Sequence, residues 1–444
     1  MGSRVVERCV VFFTILAMKY KWELIMWLWF AYFFNQADRA IYNVVLPQLK
    51  AELGLTDVQA GLVASIFLWT YALLVPVAGY LGDVFRRKSI IFWSLLFWSL
   101  ATILSGFCTG LFTLILFRSL ATGGGEAFYY PSANALISQY HHKTRALAMS
   151  IHQTSLYVGI VSSGLIAGWI AEHFGWRMAF FCFGSFGVLL ALFIHWRLRN
   201  DKPSQVPEKE TEKVPEKEMD PAPPQNNQPV LFSQALRHIL AAPSVWAIWI
   251  AFATANFVFL GYLTWTPTFL YEKFDQSLTV AGFSSMFYHH LFAFIGVLAG
   301  AQISDRLALK RLGARLELQI FGLLLCAPFV LLLALANNVI WCYVGLAGFG
   351  LFRGVYESNL FASLFDVVAP RYRATAVGLM LSVGFVFSAF APIVMGYAKG
   401  NLGLTMTFAY LAPIFAVSVT ALGMSRFLWL RRDASIAAAS ETTS

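Results

Sequence analysis

The chain has 444 residues, of which 58% are hydrophobic and only 12% charged, and its mean hydropathy is +0.65. Soluble globular chains carry about 25% charged residues, and no water-soluble domain could hide this much apolar surface, so a soluble protein is excluded. The formal net charge of +9 does not point to nucleic acid, because the bases sit in short loops between apolar runs, where they orient a membrane protein.

In chain order, residues 1–22 read as a cytoplasmic N-terminal segment. Its apolar run from Cys9 to Ala17 is too short to span and lacks a small-residue cleavage site, so an interfacial helix is expected rather than a signal peptide. Runs long enough for a bilayer core of about 30 Å follow near 23–46, 58–82, 89–110, 112–139, 146–171 and 178–197. Residues 198–238 contain KPSQVPEKETEKVPEKEMDPAPPQNNQP, rich in Pro, Glu and Lys with little to bury, and read as a cytoplasmic linker. Six further runs lie near 239–270, 278–304, 317–336, 339–366, 374–398 and 404–430, and residues 431–444 form a cytoplasmic tail. The expected architecture is all-α and membrane-integral: twelve transmembrane helices in two pseudo-symmetric six-helix bundles, 23–197 and 239–430.

Orientation follows from the loops. Arg86, Arg87, Lys88, Lys143, Arg145, Arg306, Lys310, Arg311, Arg315, Arg371 and Arg373 fall on one side, against Lys50, Arg177, Lys273 and Lys399 on the other. The first side is therefore cytoplasmic, with both termini and the linker, in a cell (inner) membrane. The five cysteines (Cys9, Cys108, Cys182, Cys326, Cys342) lie in or beside apolar runs and read as small core residues, not a disulfide framework or metal site.

The two halves repeat. KTRALAM (143–149) answers RYRATAV (371–377), with Arg145 and Arg373 set 228 positions apart; at the same offset Gly168 meets Gly396, Gly175 meets Gly403, Met178 meets Met406 and Phe180 meets Phe408. A duplicated six-helix unit with both copies in one orientation is expected.

Between spans two and three, GYLGDVFRRK (79–88) sets an acid at a helix end before a basic cluster in a short loop. Such a pairing can hold one conformation and break in another. The sequence resembles the major facilitator superfamily, whose loop signature Gly79, Asp83, Arg87 and Lys88 match, while Val84 and Arg86 depart from it. A worn copy, AQISDRLALKR, keeps Asp305 and Arg306 but has Ala301 in place of glycine. These six matching residues are the expected gate. Span five, VGIVSSGLIAGW, lacks the proline of the drug-exporter motif, and no Gly-x-x-x-x-Gly-Lys-Ser/Thr loop supplies ATP.

Within span one stands FNQADRAIYN (34–43). A charge at the centre of a membrane helix costs about 2.5–3.5 kcal/mol on insertion scales, so Asp38 and Arg39 must face other helices or a wet cavity. Tyr32, Asn35, Arg39, Tyr42 and Asn43 share one face, with Asp38 at its edge. In span four, FRSLATGGGEAFYYPSAN puts Arg118, Thr122, Glu126, Tyr129 and Tyr130 on one side, and Gly123 to Gly125 allow close approach. Span ten adds Arg353 and Glu357 one turn apart, each able to satisfy the other. Packing is the alternative throughout: such charges can neutralise one another and pin helices. His152 with Gln153, His289 with His290, and the aromatics Trp69, Tyr157, Tyr262, Trp265 and Tyr288 are weaker candidates for lining the cavity.

The span-one Asp-Arg, the span-four Arg and Glu, and TWTPTFLYEKFDQSLTVAG (264–282) look like the anion:cation symporter branch, which moves organic anions such as sugar acids, often with protons. GLVASIFLWTYALLVPVAGYLGD (61–83) also resembles Spinster-type lysolipid and sphingolipid transporters. The separation of Arg118 and Glu126 is one residue longer than is common in either group.

The expected function is secondary active transport: proton-coupled symport of a small organic anion, a sugar acid such as a uronate or sialic acid, by alternating access. The alternative is a proton-coupled lysolipid or sphingolipid transporter. Arg39, Asn35, Arg118, Tyr129, Tyr130, Gln153, Tyr157, Trp265 and Arg353 are the expected cargo contacts, and Asp38 and Glu126 the proton carriers. This reading requires Asp38 and Arg39 to face a watery central chamber. Neither an enzyme constellation, a cofactor nor a metal is expected; the partners are the organic anion, a proton (with sodium left open) and the bilayer, and the chain is expected to be monomeric.

Overall fold

The computed structural model describes residues 20–141, 144–198 and 232–442. Among these residues every regular element is helical. The first half comprises α1 (Tyr20–Leu53), α2 (Asp57–Val84), α3 (Arg87–Ser105), α4 (Leu111–Leu114), α5 (Thr122–Ala127), α6 (Tyr129–Tyr140), α7 (Arg145–Phe174) and α8 (Trp176–Arg197). After α9 (Phe232–Leu240) come α10 (Pro243–Phe274), α11 (Leu278–Ala308), α12 (Ala314–Leu335), α13 (Val339–Glu357), α14 (Leu360–Phe365), α15 (Arg373–Ser388), α16 (Ala391–Ala409), α17 (Ile414–Met424) and α18 (Leu430–Thr442).

Ten helical segments among the described residues are long and apolar enough to cross a bilayer. The other two expected spans are the ones that carry the buried charges. In α1, Asn35, Gln36, Asp38 and Arg39 lower the hydropathy of an otherwise apolar helix. The expected span at 112–139 keeps a right-handed helical backbone at each junction but changes its hydrogen-bond register, from α4 through a π-helical stretch Ile115–Ala121 to α5 and, past a turn at Phe128, α6. Pro131 explains the turn before α6, since it cannot donate to the carbonyl of residue 127. Thr122 closes the π stretch by donating its hydroxyl to the Phe117 carbonyl, 2.9 Å away.

The contacts divide the chain into two units. The first holds Met1–Leu55, Thr70–Pro207 and Ser277–Phe283; the second holds Thr56–Trp69, Glu208–Gln276 and Ser284–Ser444. In the first, Gly164 of α7 lies directly against the Gly282 backbone, an approach that a side chain on either residue would block. The core of that unit is aromatic and aliphatic, including Leu24, Leu28, Trp98, Tyr129, Ile137 and Ile194. In the second, α2 begins with a reciprocal cap: the Thr56 amide donates to Gln59 Oε1 at 2.9 Å, and the Gln59 amide to Thr56 Oγ1 at 3.2 Å.

The 228-residue repeat has a backbone counterpart. Gly175, between α7 and α8, has φ 85° and ψ 157°; Gly403, which kinks α16, has φ 74° and ψ 166°. Both occupy a region open essentially to glycine alone, so the two copies turn their chains by the same device. Arg145 and Arg373, paired at that offset, each open a helix. Residues 431–442, expected as part of a tail, are helical within α18.

Candidate functional site

In the first unit, α1, α3, α5 and the π stretch converge on Asp38 and Arg39. Arg39 Nε donates to Glu126 Oε2 at 2.6 Å. The Glu126 side chain is fully buried, whereas that of Arg39 is 25% exposed. The guanidinium also lies 4.1 Å from the centre of the Tyr71 ring, a favourable cation–π geometry. Asp38 is 3% exposed and accepts from Thr102 Oγ1 at 3.0 Å. The two neighbours in sequence are thus treated differently: Arg39 keeps access to solvent, while Asp38 is closed in against α3 rather than facing open water as expected.

Arg118 is buried and donates through Nη2 to the carbonyls of Asp38 (3.2 Å) and Arg39 (3.3 Å). It therefore braces the backbone that carries the pair. Eight residues of ordinary α-helix would turn Glu126 by about 80° from Arg118, and seven by about 20°. The π stretch between them absorbs the extra residue, so both side chains reach the same part of α1 despite the longer spacing.

A second group of expected residues forms an aromatic wall. Tyr32 stacks on His152 with ring centres 4.7 Å apart and meets Tyr130 at 5.3 Å. The Tyr129 hydroxyl donates to the Leu28 carbonyl at 2.6 Å, so His152 Nε2, 3.1 Å from that hydroxyl, is the donor of their shared bond. Tyr130 donates to Gln153 Oε1 at 3.5 Å. Asn35 is buried and accepts from Gln36 at 2.9 Å; Tyr129 is likewise buried, and Tyr157 is half-buried. Tyr71 and Thr102 were not expected at the site, and neither carries a charge that would mark it in an apolar run.

In the second unit, Arg353 pairs with Glu357 one turn on, lies 3.2 Å from the centre of the Phe259 ring and donates to His289 Nε2 at 2.9 Å. Trp265, an expected cargo contact, is buried and gives its indole N–H to the Pro392 carbonyl at 3.0 Å.

Of the expected gate, Arg87 donates to the Ala135 carbonyl (3.3 Å) and to Gln139 Oε1 (2.9 Å), both on α6. Gly79 has open space around it and Lys88 is half-buried. The Asp83 side chain lies outside the described residues. Asp305 and Arg306 are exposed at the end of α11; the ion pairs beside that end join Arg315 to Asp366, and Arg311 and Arg426 to Glu317. Among the described residues no group of three or more His, Cys, Asp or Glu is placed to hold a metal.

A profile described as Major Facilitator Superfamily matches residues 28–392. The chain belongs to the major facilitator superfamily. This superfamily member is 26% identical over 388 residues to the probable galactarate/D-glucarate transporter GudP of Escherichia coli (strain K12), covering 83% of this chain and 85% of that one. It is 27% identical over 394 residues to protein spinster homolog 1 of Xenopus laevis, covering 83% and 71%. Its fold matches the crystal structure of a bacterial homologue of the human lysosomal transporter Spinster, inward-facing and unoccupied, with a TM-score of 0.76, 21% identity, and 96% and 99% coverage. The protein is a multi-pass membrane transporter of this superfamily, not an enzyme, and has organic-anion transporters among its relatives.

Proposed function

We propose that the protein is a proton-coupled symporter of a sugar acid, and that the ion pair between Arg39 and Glu126 is where proton and cargo compete. The observation that carries this reading is the 2.6 Å contact between a fully buried glutamate and an arginine whose side chain is one-quarter exposed. Protonating Glu126 removes the negative partner, and Arg39 is then available to a cargo carboxylate, for which its planar fork is well shaped. The two binding events are linked through one charge. Arg118 holds the backbone of the pair in place. Asp38, expected as a second proton carrier, is closed in against α3 and bonded to Thr102, so the proton is assigned to Glu126 alone.

Tyr130, Gln153 and Tyr157, with the stacked Tyr32 and His152, supply hydroxyl and amide groups suited to a polyhydroxylated chain. Arg353 of the second unit is a further cation for an anionic cargo. The likeness to GudP favours a hexarate such as galactarate or glucarate. Asp83, Arg87 and Lys88 in the first unit, and Asp305 and Arg306 in the second, are the gating residues at the cytoplasmic side of a monomer whose termini both face the cytoplasm of a cell (inner) membrane.

The driving force depends on the proton count. A hexarate is a dianion at neutral pH, so two protons per cargo move no net charge and respond to the pH gradient alone, by about 1.4 kcal/mol per proton per unit. One proton per cargo leaves a net negative charge, which a negative-inside potential opposes by about 2.3 kcal/mol per 100 mV. Uptake of radiolabelled glucarate into proteoliposomes tests the reading: a gradient acidic outside should drive accumulation, and an uncoupler should abolish it. Uptake indifferent to both removes the proton from the mechanism.

The second reading, a lysolipid transporter, draws on the likeness to the Spinster proteins and on an apolar groove of about 400 Å³ lined by Trp22, Ile25, Met26, Trp29, Phe30 and Ile151. Lysolipid export without glucarate uptake would favour it.

A further inference from the structure

The second unit encloses a small space that the ion pair of the first unit does not involve. Its volume is about 20 Å³, room for about one water molecule. Asn256, Arg353, Tyr356 and Glu357 contribute the polar part of its wall. That wall is rich in donors. The Tyr356 hydroxyl and Asn256 Nδ2 are both buried with no hydrogen-bond partner, and Tyr356 as a whole is 4% exposed. Arg353 adds a guanidinium. Against these three stands one carboxylate, that of Glu357, already bonded to Arg353.

Buried donors are costly to leave without acceptors, so several converging on one space mark where an acceptor belongs. His289 does not supply it. A guanidinium only donates, so the His289 Nε2 lone pair is taken by Arg353. The ring therefore carries its proton on Nδ1, which is buried without a partner and is one more donor.

We propose that this space is an oxyanion subsite that takes a carboxylate, with Arg353, the Tyr356 hydroxyl and the Asn256 amide as its donors and Glu357 as its resident stand-in. Glu357 lies one turn from Arg353 on α13, and its side chain is 35% exposed. It can therefore swing toward solvent when an incoming carboxylate replaces it, which also supplies the room that the closed space lacks. Each unit then offers an arginine held between a glutamate and an aromatic ring: Arg39 with Glu126 and Tyr71 in the first, Arg353 with Glu357 and Phe259 in the second. The subsite rests on the transport reading only for the identity of its ligand as a sugar acid.

The test uses the purified full-length protein and two probes, glucarate and acetate, read by calorimetric titration and by melting temperature. Tyr356→Phe and Asn256→Ala should each weaken glucarate binding about tenfold, the effect of one hydrogen bond to a charged group. Neither should lower the melting temperature of the ligand-free protein, because the groups removed have no partner to lose. Acetate should raise the melting temperature of the wild type and lose that effect in the double variant. Wild-type affinity in both variants, or an acetate response that persists in the double variant or is missing from the wild type, would overturn the subsite. So would a ligand-free melting temperature that falls together with affinity, since the hydroxyl would then have an internal partner. If acetate behaves as expected while glucarate is neither bound nor taken up, the subsite stands and the sugar-acid reading fails.

Discussion

Replacing Glu126 with glutamine keeps its volume but removes the charge that holds Arg39, and so imitates the protonated transporter permanently. Breaking a fully buried ion pair costs about 3–5 kcal/mol. Here the partner left behind is 25% exposed and still covered by Tyr71, so solvent takes up part of the charge and a loss of about 1–2 kcal/mol in stability is expected. The effect on transport should be larger and of a different kind. Wild-type proteoliposomes held at zero membrane potential, with a gradient of one pH unit acidic outside, should concentrate glucarate about tenfold at one proton per cargo. The Glu126→Gln protein should equilibrate the same substrate to a ratio of about one, because no proton is left to couple at this position. Exchange of labelled for unlabelled glucarate, which needs cargo binding but no net proton movement, should persist. Radiolabelled uptake and counterflow on one preparation read both quantities. A variant that still concentrates glucarate with the wild-type pH dependence would refute the assignment of Glu126, and one that loses exchange and accumulation equally would show the residue to be structural.

Arg39→Lys keeps the charge but not the planar fork, and should weaken glucarate binding about tenfold with the fold intact, as read by titration beside a melting curve. Gly175→Ala and Gly403→Ala each force a side chain into a positive-φ, extended-ψ region that is essentially glycine's alone and should destabilise by about 1–3 kcal/mol apiece, seen as lowered melting temperatures of similar size. Glu52 receives the Trp176 indole N–H at 2.7 Å and pairs with Arg177; the indole bond first, then the arginine, hold its carboxyl below the ordinary 4.5. Its stabilising contribution should therefore be complete above about pH 4.5 and fade as pH falls through the depressed value; a melting curve against pH should lose that limb in Glu52→Gln. Deleting Leu120, an exposed residue inside the π stretch, should return the segment to α-helix with uptake retained, whereas adding a residue there should abolish uptake.

The charges of the site were legible because charge inside an apolar run is expensive enough to need a reason: Asp38, Arg39, Arg118 and Glu126 stand out on that ground, and the structure brings them together in one unit. Arg353 and Glu357 were legible as a pair from their spacing alone, and they are bonded. Thr102 and Tyr71 left no such mark, since an uncharged residue on a membrane helix reads as packing whether or not it holds an ion. Asp38 misled for a related reason. Helical periodicity sets the direction of a side chain, but not whether that direction meets water or another helix, and here it meets α3. Trp265 likewise looked like a cavity aromatic, yet its indole N–H is spent on the Pro392 carbonyl. The repeat offset was readable down to single glycines, because Gly175 and Gly403 answer a backbone need that no other residue meets. The π stretch in the fourth span was not, because hydrogen-bond register leaves no trace in hydropathy.

The widened turn between Arg118 and Glu126 behaves as a slack loop in a taut line. Chain length between two charged anchors can change by one residue there while the anchors keep their stations. Relatives that lack the extra residue at this point would look mismatched to any search that insists on a rigid interval. Counting distance along the helix by turns completed, and not by residues passed, would bring them back into view.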